Sequence, residues 1–104
     1  MHTYYNTGVL LQHLPDRKIT PATAGPKQVA LLRVDEAVFA FTALCPHAGA
    51  PLCDGWLDAT GKVVCPLHKY RFDPRTGRNT TGEGYNLFRY QVQIAEGEIL
   101  VGLL

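Results

Sequence analysis

The sequence predicts an all-β fold: a small antiparallel barrel-like base with a compact subdomain inserted between its strands. Three observations lead there. Strand signals are frequent and helix signals scarce. Two pairs of these strands flank tight turns, the signature of antiparallel hairpins. The chain has 104 residues, 46% hydrophobic with 10 Gly and 7 Pro, which suits one small domain with a modest core. In order, residues 15–26 read as a bent edge strand or loop with its own turn at Gly25-Pro26. Residues 29–34 and 37–41 form a hairpin around Asp35-Glu36, and residues 91–94 and 99–101 form a second around Gly97. Between them, Val63-Val64 and Arg71-Phe72 bracket a loop, and Pro74-Arg75-Thr76-Gly77 is a turn. The inserted subdomain spans roughly residues 43–73, and residues 1–104 read as a single domain without internal repeat, low-complexity stretch or linker.

The net charge of +1 gives no signature of nucleic-acid binding and is compatible with a protein partner. No run of about twenty apolar residues and no charged-then-apolar leader is present, so neither a membrane nor secretion is expected. A reducing, cytoplasmic location follows.

The chemistry concentrates in two short pairs. Cys45-Pro46-His47 is followed, after seventeen residues, by Cys65-Pro66-Leu67-His68. Each pair offers one thiolate and one imidazole, which suits a centre with two chemically different metal atoms and points to a [2Fe–2S] cluster in which imidazoles replace thiolates on one iron. Cys45 and His47 are two apart, so in an extended segment both side chains face the same way. Cys65 and His68 are three apart, and Pro66 pre-sets the second position of a turn that brings the ends within about 7 Å. The small residues Ala48-Gly49-Ala50-Pro51 would let backbone N–H groups approach bridging sulfides. A mononuclear zinc site of two Cys and two His is the nearest alternative, although zinc fingers commonly pair Cys with Cys and His with His. Buried cysteines and surface histidines falling together by chance are the weakest alternative. A domain of this size gains stability from bound metal.

The segment from Ala43 to Val92 carries Cys-Pro-His-Ala-Gly-Ala-Pro-Leu and Cys-Pro-Leu-His-Lys-Tyr-Arg-Phe-Asp-Pro-Arg-Thr-Gly. It resembles the Rieske ferredoxins and the Rieske-like small subunits of NAD(P)H nitrite reductases. The resemblance implies the Rieske fold, with Cys45 and Cys65 on the inner iron of one [2Fe–2S] cluster and His47 and His68 on the outer one. Replacing two thiolates by neutral imidazoles removes negative charge from the centre and raises its potential. The imidazoles also allow electron uptake to be coupled to protonation. High-potential members of the family carry one additional Cys in each loop, where this chain has Ala50 and Leu67, and Ser and Tyr donors where it has Tyr70 and Phe72. That places it with the low-potential, ferredoxin-like branch.

Several other residues need assignment. Cys53 reads as a small, partly buried residue beside the first loop, and His2 and His13 as surface residues. Trp56 is assigned to core packing beneath the first loop, and Leu52, Leu67 and Tyr70 to a shield or docking rim around the centre. Gly82-Glu83-Gly84 matches the place where members of the family it resembles have a loop covering the cluster, and the resemblance implies a third, flexible wall there. Lys62, Lys69, Arg71, Arg75 and Arg78 surround a single acid, Asp73, and form a basic rim suited to an acidic partner.

An oxygenase would need a further iron held by two His and a carboxylate, yet only His2 and His13 remain once the centre is supplied, so no substrate chemistry is expected from this chain alone. The resemblance implies an electron carrier between a flavin-dependent reductase and a terminal oxygenase, or a small subunit bound to the large subunit of a nitrite reductase. A zinc-stabilised interaction module is a third possibility.

Overall fold

The computed structural model describes residues 2–46, 49–67, 69–82 and 84–103. In chain order the strands are β1 (Thr3–Leu10), β2 (Thr20–Ala24), β3 (Lys27–Val34), β4 (Ala37–Thr42), β5 (Trp56–Leu57), β6 (Val63–Val64), β7 (Arg71–Phe72), β8 (Arg89–Ala95) and β9 (Glu98–Leu103). Six of them form an antiparallel sheet in the order β1-β9-β8-β4-β3-β2, and β1 packs back against β2, so the sheet curls almost into a barrel. The short strands β5, β6 and β7 make a separate three-stranded sheet. The expected all-β, barrel-like architecture is therefore observed.

Both predicted hairpins are present. Val34 pairs with Ala37 across Asp35-Glu36, and Ala95 pairs with Glu98 across Glu96-Gly97. The first turn holds Asp35 at a φ of 56°, and its neighbours anchor it there. The Asp35 N–H donates to the Asp16 carboxylate at 2.8 Å, and the Arg33 Nε donates to the Asp35 carbonyl at 2.8 Å. The predicted edge strand is β2, which turns into β3 through Gly25-Pro26. Strand β1 was not expected. Its Asn6-Thr7-Gly8 stretch is an irregularity within the strand, where the register against β9 shifts between Asn6 and Leu10.

The run Val29-Ala30-Leu31-Leu32 on β3 is completely buried because both faces of the strand are covered. Val29 and Leu31 point into a core with Leu14, Ala24, Ala40, Ile99, Val101 and Leu103. Ala30 and Leu32 point the other way, into a core with Ile19, Phe41, Leu52, Val63, Phe72 and Leu87, and this second core also contains Cys45 and Cys65. One sheet thus separates the barrel interior from the side that carries both thiols.

Candidate metal centre

Cys45 and Cys65 sit at the same place in two loops that close in the same way. In the first, Leu44 and Pro51 form an antiparallel bridge, the Cys45 N–H donates to the Ala50 carbonyl at 2.7 Å, and the Gly49 N–H donates to the Cys45 carbonyl at 2.8 Å. In the second, Val64 pairs with Arg71, the Cys65 N–H donates to the Tyr70 carbonyl at 2.9 Å, and the Lys69 N–H donates to the Cys65 carbonyl at 3.0 Å. Gly49 and Lys69 occupy equivalent positions with φ of 71° and 61°. The two segments are a structural repeat that the sequence does not announce, since only Cys and Pro coincide between them.

Two further expectations about the loops change. The Cys45 segment closes on itself instead of running extended, since the Gly49 N–H donates back to the Cys45 carbonyl. The Gly49 N–H is also engaged by the Cys45 carbonyl, so it is not a donor kept for a sulfide. His47 and His68, together with Ala48, lie outside the described residues.

The two thiol positions fit a cluster with a dry inner side. Cys45 is 2% exposed and Cys65 fully buried, both in one apolar core. Cys53, by contrast, is only partly buried, and burial pushes its thiol pKa up, with the Asp54 carboxylate adding to the shift. A thiol held in its neutral form is a poor ligand, in keeping with the packing role assigned to Cys53. His2 and His13 are exposed, as expected.

The rim differs from expectation in two residues. Leu52 is fully buried in the 3-10 turn Leu52–Asp54, where it supports the centre from beneath and cannot belong to a docking face. Trp56 is the reverse: it is 43% exposed, because β5 alternates and Leu57 takes the inward side, packing on the core with Cys65. The Lys69 ammonium lies over the indole, 5.7 Å from the ring centroid. Leu67 is exposed and Tyr70 half-buried against the core. Gly82 and Gly84 are exposed, Glu83 lies outside the described residues, and the preceding stretch is tied to β7 by the Phe72–Asn79 bridge and the bond from the Thr80 N–H to the Arg71 carbonyl at 2.8 Å.

Asp58 is the structural residue that the sequence reading missed. Its Oδ1 accepts from the Thr60 N–H, the Thr60 hydroxyl and the Lys62 N–H at 2.7 to 2.9 Å, and its Oδ2 accepts from Arg71 Nε at 3.0 Å. It thereby ties the β5–β6 turn to β7, the strands on either side of Cys65, and it neutralises one member of the basic run. Asp-Ala-Thr-Gly is a turn signature that could have disclosed it. Burial, which would raise the Asp58 pKa, is outweighed by these hydrogen bonds, and the carboxyl is lowered from 3.8 to about 2. A depressed carboxyl stabilises the fold above its unfolded-state pKa and loses that contribution as pH falls through the folded value. Asp58→Asn should therefore cost about 1 kcal/mol at neutral pH, allowing for solvent screening of the half-exposed Arg71. The gap in urea midpoint between variant and wild type should close between pH 4 and pH 2.

Comparison with known proteins agrees with this architecture. Residues 9–90 match the family model for the Rieske [2Fe-2S] domain. The ferredoxin component of the naphthalene 1,2-dioxygenase system of Pseudomonas aeruginosa is 32% identical over 96 residues, covering 91% of each chain. The ferredoxin of carbazole 1,9a-dioxygenase from Nocardioides aromaticivorans superposes with a TM-score of 0.86 at 33% identity, over 95% of this chain and 96% of that one. A protein described as an NADH-dependent nitrite reductase small subunit, from Mycobacterium tuberculosis, gives the same TM-score at 24% identity, over 100% and 97% of the two chains, a likeness of fold. By the match over residues 9–90 and the end-to-end similarity to these ferredoxins, the chain belongs to the Rieske [2Fe-2S] domain family.

Proposed function

We propose that this chain is a ferredoxin that carries single electrons from a flavin-dependent reductase to a terminal oxygenase. It would hold one [2Fe–2S] cluster through Cys45 and Cys65 on the inner iron and His47 and His68 on the outer one. The observation that carries the reading is the pair of equivalent loops, each delivering a buried thiol to one apolar core. A cluster bound there supplies one-electron redox chemistry. This chain's own residues do the rest. Phe41, Leu52, Val63 and Phe72 keep water from the thiol side, and the paired backbone of both loops fixes where the ligands start. Residues 43–73 act in this reading as the redox tip of a single domain spanning 1–104. Among the described residues no helix is long and apolar enough to cross a membrane. A cytoplasmic setting fits Cys53, the one thiol that this reading leaves without a ligand role.

The small-subunit reading remains the alternative on the strength of the fold likeness to the nitrite reductase protein. It is disfavoured relative to the carrier because the relatives at 32% and 33% identity are both ferredoxins of dioxygenase systems. Protein prepared anaerobically should be coloured, contain two irons and two acid-labile sulfides, and restore NADH-driven turnover to a reductase and oxygenase pair. Stoichiometric zinc without sulfide would sink the cluster and favour an interaction module. A loaded protein that isolates only in a large flavin- and sirohaem-containing complex would favour the small subunit.

A further inference from the structure

We propose that Trp56 is a positioning residue: its indole face holds the ammonium of Lys69, whose own N–H bonds the Cys65 carbonyl, and so fixes one positive charge on the second ligand loop. The inference rests on the cluster reading above and goes beyond it by assigning a control of the cluster's potential to two residues that are not ligands.

Two independent observations converge on this pair. The first is the contact itself. Lys69 Nζ lies 5.7 Å from the indole centroid, within the range in which an ammonium is held by an aromatic face, and tryptophan is the strongest such partner. Trp56 is the only tryptophan in the chain, and it stands on the exposed face of β5 when its neighbour Leu57 takes the core. The second is the backbone beneath the lysine. Lys69 adopts a φ of 61° at the position where the first loop uses Gly49, a left-handed conformation that disfavours any residue with a Cβ. Nothing in the backbone bonding demands a side chain there, because the Lys69 N–H makes the same bond to Cys65 that the Gly49 N–H makes to Cys45. The loop thus carries a side chain at a position better suited to glycine, and that side chain is a cation docked on a ring.

The electrostatic consequence has a definite sign. Reduction adds one electron, and so one negative charge, to a centre bound at Cys65 and His68. A fixed positive charge on the loop of Cys65, carried by the residue that follows His68 in sequence, stabilises the reduced form more than the oxidised form and raises the potential. Lys69 is exposed even when docked, so water and salt screen its charge, and the indole acts by holding the ammonium in one place where a free side chain would spread over many. Arg71, the next cation along the loop, is already paired with Asp58, so its charge is largely compensated.

The test uses holoproteins whose iron and sulfide content and visible spectrum have first been checked, with potentials measured by voltammetry at one low ionic strength. Lys69→Gln should lower the potential, corresponding to about a threefold loss in the reduction equilibrium constant. Trp56→Leu should shift it the same way by a smaller amount, and Trp56→Phe should retain most of the wild-type value. In the Lys69→Gln background Trp56→Leu should add nothing, because the indole acts only through the ammonium. Lys69→Gly should lower the potential as Lys69→Gln does while leaving the melting temperature level or higher, since it removes the left-handed strain. A Trp56→Leu shift that persists undiminished without Lys69, or potentials that do not move in any variant, would overturn the proposal. Wild-type protein that holds no iron and sulfide would overturn the cluster reading itself, and that result is visible before any potential is measured.

Discussion

Cys65→Ser protein should emerge colourless, with iron and acid-labile sulfide reduced to a trace, while Cys53→Ser protein stays fully loaded. A serine hydroxyl is not deprotonated near neutrality and would not replace the thiolate that the proposed centre requires at this position. At position 65 the loss is sharpened by burial: the side chain is fully enclosed in a core that also contains Cys45, so no outside ligand can reach in to substitute. Cys53 differs in both respects, being half-buried beside the loop and held as a neutral thiol by burial and by Asp54. Iron and sulfide assays beside a far-ultraviolet spectrum would separate loss of the centre from loss of the fold. A Cys65→Ser protein with full iron and sulfide, or a Cys53→Ser protein without them, would reassign the ligands.

Gly55→Ala should be the most damaging single methyl addition in the chain. A Cβ at Gly55 would stand 2.0 Å from the Val64 carbonyl oxygen and 3.2 Å from both the Leu52 carbonyl oxygen and Pro66 Cδ. These atoms cannot swing aside. Val64 is fixed by its pairing with Trp56 on one side and Arg71 on the other, and the chain continues from it directly into Cys65. Relief would require β5 and β6 to part, which spreads the loop that carries Cys65. A cost of about 3 kcal/mol or more is expected, lowering the melting temperature by roughly 12 °C or more. Gly61→Ala makes the matched control. Its Cβ would meet nothing within 4 Å, so only backbone strain at a φ of 85° applies, and a loss of about 1 kcal/mol is expected. Melting curves of the two variants would decide it; equal losses would mean that the β5–β6 contact yields.

The elements that could be read in the sequence are those whose signal is local. The β3–β4 and β8–β9 hairpins declare themselves through apolar runs flanking two-residue turns, and the two Cys-Pro pairs through their chemistry. What escaped depends on the third dimension. Asn6-Thr7-Gly8 has the composition of a turn, and only pairing with β9 turns it into an irregular strand. Trp56 was assigned to the core on its size, but a two-residue strand leaves one of two neighbours outside, and the close approach of Gly55 to Val64 sets which one. Leu52 reads as a rim residue from its nearness to the first loop, yet the 3-10 turn it begins rotates it beneath that loop. The equivalence of the two loops is carried by main-chain bonds, and Lys69 standing where the first loop has glycine hides it from any comparison of side chains.

The four-residue run Val29–Leu32 belongs to two compartments at once, alternate side chains serving each. A partition of this kind leaves no slack between the redox end and the scaffold. Movement of the side that carries Cys45 and Cys65 relative to the barrel would have to drag Ala30 and Leu32 with it, and through the same backbone Val29 and Leu31. In the proposed carrier such a wall would act as a chassis, leaving the distance an electron must cross to be set by how a partner docks.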